Sequence, residues 1–238
     1  MSFLRLFCGL ASLGAAATAY SQSLIANGDF ESGSLAGWTV VDQTGGSGTF
    51  GISTPGSTTP VSSHSTAPNP DGGSYYAVSD QTGGGAHALI QTFTIGSTAE
   101  SVMLNFQLFV NNWAMEETVN PAGLDYTAGP NEFASVDILS GSADALDTGA
   151  GVLVNLYLGA EPATLASGFA SYSFDITSVV STPGMYQLRF AEADNEGYFN
   201  MGVDNVSITL GTGSVPEPTT LALVGFGALG YILFRRRK

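Results

Sequence analysis

The chain has 238 residues, a formal net charge of −14 and one cysteine, Cys8. Its 20 Asp and Glu residues all lie between Asp29 and Glu217, where Arg189 is the only Lys or Arg. Such an acidic surface repels phosphate groups, so nucleic acid is excluded as a partner. A single cysteine also excludes disulfides and cysteine-based zinc sites within the chain.

The first 21 residues have the layout of a secretory signal peptide. Arg5 supplies the positive charge, and the apolar run 6–17 is too short for a comfortable membrane span. Small residues follow and offer two cleavage triplets, 17–19 and 19–21. An uncleaved membrane anchor is the alternative, which the length of the run disfavours. We therefore expect residues 22–213 to form an exported domain, stabilised by its core or by a metal because no disulfide is available.

Alternation of apolar and polar residues predicts strands along most of this domain. In the run 101–110, Val102, Leu104 and Phe106 fall on one face. Clusters of Gly, Ser, Thr and Pro separate the runs, and the longest of them, 44–70, is expected to be mostly loop. No stretch has helical periodicity, so we predict an all-β fold, a single β-sandwich or jelly roll. The same alternation occurs in six further runs: 89–95, 134–139, 152–158, 172–176, 186–191 and 202–210.

The segment 111–132 is rich in amides, carboxylates and aromatic residues. Aromatic faces stack on the apolar C–H surface of sugar rings, while amides and carboxylates bond the hydroxyl groups. Trp113 and Tyr126 are therefore candidates for carbohydrate binding. The competing interpretation is that Trp113 closes one end of the sandwich core, and the usual burial of tryptophan favours it.

Two further acidic clusters, Asp144/Asp147 and Glu192/Asp194/Glu196, either bind a cation or lie in solvated loops. Their spacing is not that of an EF-hand, so we expect solvated loop charge. Neither histidine lies near a nucleophile elbow or at metal-ligand spacing. Pairs of loop carboxylates are too common in this chain to indicate glycoside hydrolysis. We therefore expect a protein that is not an enzyme.

Two short stretches at opposite ends of the domain carry a resemblance. The stretch 24–31 is LIANGDFE, followed by a Gly-Trp pair at 37–38, and the stretch 202–208 is GVDNVSI. Together they are similar to jelly-roll carbohydrate-binding modules and related galactose-binding-like domains. The resemblance implies that the first and last strands lie side by side, with a structural calcium ion between them.

The same resemblance names the ligands of that calcium. Glu31 and Asp204 would bind through their side chains, and backbone carbonyls near Asn27 and Asp29 would complete the shell. Calcium takes six to eight oxygens, which carboxylates and carbonyls provide. The alternative is that residues 27–29 simply form a turn, that the aromatic residues Phe30 and Trp38 belong to the core, and that Asp204 caps the end of a strand.

The last 25 residues divide into a motif, an apolar span and a basic end. As a helix, residues 219–234 would reach about 24 Å, against about 30 Å of bilayer hydrocarbon, so the span is marginal as a permanent anchor. Small residues in the span would let another membrane helix approach closely. The basic end predicts a cytoplasmic C-terminus with the domain outside. The motif is Val215, Pro216, Glu217 and Pro218, and the basic end is Arg235, Arg236, Arg237 and Lys238.

This three-part end, over residues 214–238, resembles the PEP-CTERM sorting signal of Gram-negative bacteria. The resemblance implies recognition by a sorting peptidase, an exosortase, in the inner membrane. It also implies cleavage near residues 216–218 and release or attachment at the cell surface. Proteins with this signal are typical of organisms that make exopolysaccharide and biofilm. A plain tail anchor or a tail-removed lipid anchor is the alternative.

We therefore predict an exported, surface-sorted, non-catalytic protein of the extracellular matrix or biofilm, which binds or organises extracellular polysaccharide. It would pass through the inner membrane, be held there transiently by its C-terminal helix, and be processed at its sorting signal. The alternatives are a structural or adhesive matrix protein without a small-ligand site and, more remotely, a secreted hydrolase.

Overall fold

The computed structural model of the chain describes four stretches of the central domain. The predicted signal peptide, sorting motif, membrane helix and basic tail lie outside them, so the predicted boundaries of the domain stay predictions. None of the described residues belongs to an apolar helix long enough to cross a bilayer. The described residues are 22–63, 72–113, 118–159 and 168–211.

Two antiparallel sheets of five strands each form the described part of the chain. The first sheet has the order β1-β4-β9-β6-β7, and the second has the order β2-β3-β10-β5-β8. The predicted all-β sandwich is confirmed. Its strands are β1 (Thr39–Asp42), β2 (Thr49–Ser53), β3 (Tyr76–Asp80), β4 (Gly85–Ile95), β5 (Ser101–Asn112), β6 (Glu132–Ser140), β7 (Val152–Gly159), β8 (Ala170–Asp175), β9 (Gly184–Asp194) and β10 (Phe199–Gly211).

All seven predicted runs are strands, from β4 to β10, and several extend beyond the predicted bounds. The first three strands were not predicted, and β2 lies within the segment 44–70 that was expected to be mostly loop. β1 and β2 have only four and five residues, which is too short for a clear alternation. They form because β1 pairs with β4 and β2 pairs with β3.

The core lies between the two sheets and is rich in aromatic residues. Phe190 is fully buried, with its ring centroid 6.0 Å from that of Trp38 and 5.3 Å from that of Phe106. Phe30 packs on Trp38 at 5.5 Å. Phe30 and Trp38 are the aromatic residues near the turn at 27–29, and the prediction that these belong to the core is confirmed. Burying each of these side chains stabilises the fold by roughly 1.5–3 kcal/mol.

The N-terminal segment lies alongside the last strand, β10. The amide of Leu24 donates to the carbonyl of Ile208 at 2.7 Å, and the amide of Val206 donates to the carbonyl of Gly28 at 2.8 Å. This segment is not a regular strand, but the expected neighbourhood of the first and last parts of the domain is present. It brings the stretches 24–31 and 202–208 together.

Candidate functional site

The contact between the N-terminal segment and β10 depends on backbone conformations that few side chains allow. Gly28 lies against the carbonyl oxygen of Val206, so closely that a Cβ at Gly28 would collide with it. Asn27 has φ of 49°, and Asn205 has φ of 50° at a register shift in β10. Asparagine tolerates this left-handed region better than most residues. The turn residues thereby aim the chain so that acidic side chains from both stretches meet.

Asp204 is the buried member of this acidic group, with 1% of its surface exposed. Burial raises the pKa of the Asp204 carboxyl to about 7, although the backbone amide of Asn205 partly opposes this shift. The negative charges of Glu31 and Asp29 raise that pKa further, so each lies close enough to repel the Asp204 carboxylate. A cation bound among them would relieve this repulsion.

Glu31 and Asn27 have defined partners in the same region. One carboxylate oxygen of Glu31 accepts the backbone amides of Ser74 at 2.7 Å and Tyr75 at 3.0 Å. The carbonyl of Asn27 accepts the indole N–H of Trp38 at 3.1 Å, so it already orders the loop. Among the described residues, no three Asp, Glu, His or Cys side chains converge on one metal position. Calcium here would therefore need carbonyl or water oxygens besides the carboxylates of Glu31 and Asp204, which suits its preference for mixed oxygen ligands.

A groove of about 250 Å³ lies on the outer face of the first sheet, beside β6 and β7. Exposed apolar side chains line it: Val119 is 40% exposed and Leu158 is 51% exposed. Asp137, Asn155 and Arg189 supply polar groups. A shallow groove with apolar walls and a few fixed polar groups is typical of ligand sites.

The polar groups of the groove are held by a hydrogen-bonded network. Arg189 donates Nε and one terminal nitrogen to Oδ2 of Asp137, at 3.0 and 2.7 Å, and both side chains are almost fully buried. Its other terminal nitrogen donates to the carbonyls of Ala145 and Asp147. Asn155 donates to Oδ1 of Asp137 at 2.8 Å. The network fixes the groove before any ligand arrives, which lowers the entropy cost of binding.

The two predicted sugar-stacking residues do not line this groove. Tyr126 is half-buried and packs against the apolar cluster on the outer face of the first sheet, which includes Ala86 and Ala193. Trp113 follows β5 in the second sheet, is half-buried, and donates its amide to the carbonyl of Tyr198. The structure therefore places them on different sheets, and a sugar-binding role for either remains a prediction. The groove could not be predicted from the sequence because its walls come from separate segments, and the lone basic residue of the domain, Arg189, is the only signal that pointed to it.

Comparison with known proteins identifies the C-terminal segment. Residues 214–238 match the model of the PEP-CTERM protein-sorting motif. The chain ends in a PEP-CTERM sorting motif. The predicted resemblance of residues 214–238 to a PEP-CTERM sorting signal is thereby confirmed, and the match covers this tail only. No functionally curated protein has a matching sequence.

Several solved structures are similar to the sandwich. TmCBM61, solved in complex with beta-1,4-galactotriose, is 10% identical, with a TM-score of 0.49 over 80% of this chain and 100% of that one. The K3 cleaved adhesin domain of Lys-gingipain from Porphyromonas gingivalis W83 is 17% identical, with a TM-score of 0.43 over 76% and 95%. The enzymatically active domain of bacteriophage CBA120 tailspike protein 4 is 16% identical, with a TM-score of 0.46 over 79% and 21%. Likenesses this distant carry no function to this chain.

Proposed function

We propose that the chain is an exported, surface-sorted and non-catalytic protein whose acidic β-sandwich binds extracellular polysaccharide. The PEP-CTERM motif carries this proposal, because it directs the chain to a sorting peptidase of the exosortase type at the inner membrane. The domain would stand outside the membrane, with the basic end in the cytoplasm until cleavage. After processing, the domain would act in the extracellular matrix or biofilm.

The groove beside β6 and β7 is the proposed polysaccharide site. Val119 and Leu158 would contact the apolar C–H faces of sugar rings, and Asn155 would bond their hydroxyl groups. The strongly negative chain would repel acidic polysaccharides. We therefore expect a neutral glycan.

Two features support a non-catalytic role for this groove. Asp137 is the only carboxylate among the described residues that line it, whereas glycoside hydrolysis generally requires two that flank the scissile bond. In addition, Asp137 is bonded to Arg189, Ser135 and Asn155, which commits both of its oxygens to structure. A hydrolase remains the remote alternative.

We also propose a structural calcium ion where the N-terminal segment meets β10. Glu31 and Asp204 would supply carboxylate oxygens, with backbone carbonyls near Asn27 and Asp29 as further ligands. Support comes from the mutual repulsion of these carboxyl groups and the burial of Asp204. Calcium would neutralise the group and join the two ends of a domain that has no disulfide.

Two experiments test the proposed function. Mass spectrometry of the mature protein from producing cells should find a C-terminus near residues 216–218, and an intact basic end on released protein would contradict sorting. A glycan array and a polysaccharide pull-down with the same mature protein should find binding to neutral glycans. No binding to any glycan would instead favour a structural or adhesive matrix role.

A further inference from the structure

Three acidic side chains lie inside one end of the sandwich, away from both sites described above. Glu192 and Asp194 continue the inward alternation of Leu188 and Phe190 along β9, and Glu132 begins β6 on the inward face. All three have no exposed surface. Together with Gln81, which follows β3 in the opposite sheet, they are named here the buried acid cluster. The expectation of solvated loop charge was wrong for Glu192 and Asp194.

The register of the first sheet brings these carboxyl groups together. Glu132 pairs directly with Asp194 across β6 and β9, and Ala134 pairs with Glu192. Directly opposed residues have Cβ atoms about 4.5–5.5 Å apart, and like charges at such positions are destabilising. Burial is the main cause of the raised pKa of Glu132, and the negative charge of Asp194 raises it further.

Hydrogen bonds within the protein do not satisfy the cluster. Both carboxyl oxygens of Glu132 and both of Glu192 lack a hydrogen-bond partner. Gln81 is 1% exposed and donates Nε2 to Oδ2 of Asp194 at 2.9 Å, while its own Oε1 has no partner. Burial raises the pKa of Glu192 well above its ordinary value, and Ser79 and Gln81 oppose this shift only in part. Neither makes a hydrogen bond of good geometry with Glu192.

The described side chains that can carry a positive charge are engaged elsewhere. Arg189 binds Asp137 on the outer face of the first sheet. His87 pairs with Glu192 in the β4–β9 register, yet its ring nitrogens contact Oδ1 of Asp42 at 2.7 Å and the carbonyl of Ser47 at 2.9 Å. A buried, unpaired carboxylate is expensive, so the cluster needs a proton or a bound cation.

We propose that the buried acid cluster is a second divalent-cation site, with Glu132, Glu192, Asp194 and Oε1 of Gln81 as ligands for calcium. Five oxygens without a hydrogen-bond partner lie here, four from carboxyl groups and one from an amide. Calcium prefers such all-oxygen donors and accepts irregular geometry, whereas zinc favours the nitrogen and sulfur ligands that this cluster lacks. Among the described residues, no three of these side chains converge on one point. We therefore expect the glutamate side chains to rotate toward Asp194 when calcium binds.

The buried acid cluster shares no ligand with the calcium site proposed at Asp204, so calcium titration of variants can distinguish the two sites. The full chain in mild detergent is stripped with EGTA, dialysed, and titrated with CaCl2 in a calorimeter. Glu192→Gln and Glu132→Gln keep the shape of the side chain and should each lose one bound calcium ion per chain. Asp204→Asn should retain that ion, and exposed Glu100→Gln is the matched control that should behave as wild type.

The number of calcium ions bound by each variant decides whether the buried acid cluster is a calcium site. Loss of one ion in both glutamine variants of the cluster, with the control unchanged, supports the site. Wild-type stoichiometry in either folded variant overturns it, whatever Asp204→Asn does. If Glu192→Gln does not fold, Glu132→Gln alone decides. A wild-type chain that binds no calcium overturns this site and the one at Asp204. In that case the carboxyl groups of the cluster are neutralised by protons instead.

Discussion

Gly28 and Val206 meet backbone to backbone: the amide of Val206 donates to the carbonyl of Gly28 at 2.8 Å, and the carbonyl of Val206 lies where a Cβ of Gly28 would be. The contact explains why glycine stands in the middle of the Asn-Gly-Asp turn. It also brings Asp29 and Glu31 toward Asp204. Local structure alone could not bring these residues together, because Asp204 lies far from the other two along the chain.

Gly28→Ala is therefore expected to destabilise the domain by about 1–3 kcal/mol, since the added methyl group must displace backbone atoms. The free energy of unfolding from urea denaturation measures this loss. Gly96→Ala is the control, because a Cβ at Gly96 meets nothing within 4 Å and should change stability by less than about 0.5 kcal/mol. Equal stabilities of the two variants would contradict the close contact.

Disruption of the ion pair beneath the groove should be costly. Arg189→Met leaves Asp137 buried without its cation and should lower the free energy of unfolding by about 3–5 kcal/mol. A double variant with Asp137→Leu removes both charges and should be more stable than Arg189→Met alone. Denaturation of the two variants measures the difference, and a double variant that is less stable than the single one would speak against an unpaired charge as the cause.

The strand pattern was largely predictable, whereas the short strands and the sites were not. Strands β4 to β10 are long enough for their alternation to be visible in the sequence. By contrast, β2 is stabilised by pairing with β3, which is a tertiary effect. Glu192 and Asp194 obey the same alternation as Phe190, but their charge suggested a solvated loop. The alternation of the strand, rather than the charge of the side chains, determined that these residues are buried. Such a conflict between local rules is expected where a buried polar group belongs to a functional site.

The proximity of Glu31 and Asp204 could not be predicted from periodicity, because their separation along the chain carries no local signal. Only the resemblance of the two flanking stretches to a known fold suggested it. The groove could not be predicted even from a resemblance. Val119, Asn155 and Leu158 belong to no common motif, and only the folded sheet makes them neighbours. Packing between distant segments decided both cases.

Binding at the groove should depend on one exposed apolar residue. Leu158→Ala is expected to weaken binding of a neutral polysaccharide several-fold with little loss of stability, since Leu158 is 51% exposed. Leu153→Ala is a matched control on the same strand, 43% exposed and outside the groove. Affinity electrophoresis measures the shift. Weakening by Trp113→Ala or Tyr126→Ala, but not by Leu158→Ala, would relocate the site to the residues that the sequence suggested.

Stability in the absence of divalent cations should fall as the pH rises. Burial, with the charges of Asp194 and Glu196, raises the pKa of Glu132 to about 8 from its ordinary value of 4.5. Between these two values the folded chain holds a proton that the unfolded chain has released, so unfolding becomes easier as pH increases. The contribution of protonated Glu132 to stability is complete below about pH 4.5 and is lost as the pH passes through about 8.

Glu132→Gln has no proton to lose, so its unfolding free energy should depend less steeply on pH across this window. Denaturation in EGTA at pH 5, 6, 7 and 8 gives the two slopes. Glu100→Gln serves again as the exposed control and should keep the wild-type slope. Identical slopes for wild type and Glu132→Gln would mean that Glu132 stays ionised in the folded chain. In that case its negative charge must be met by a group inside the sandwich rather than by a proton.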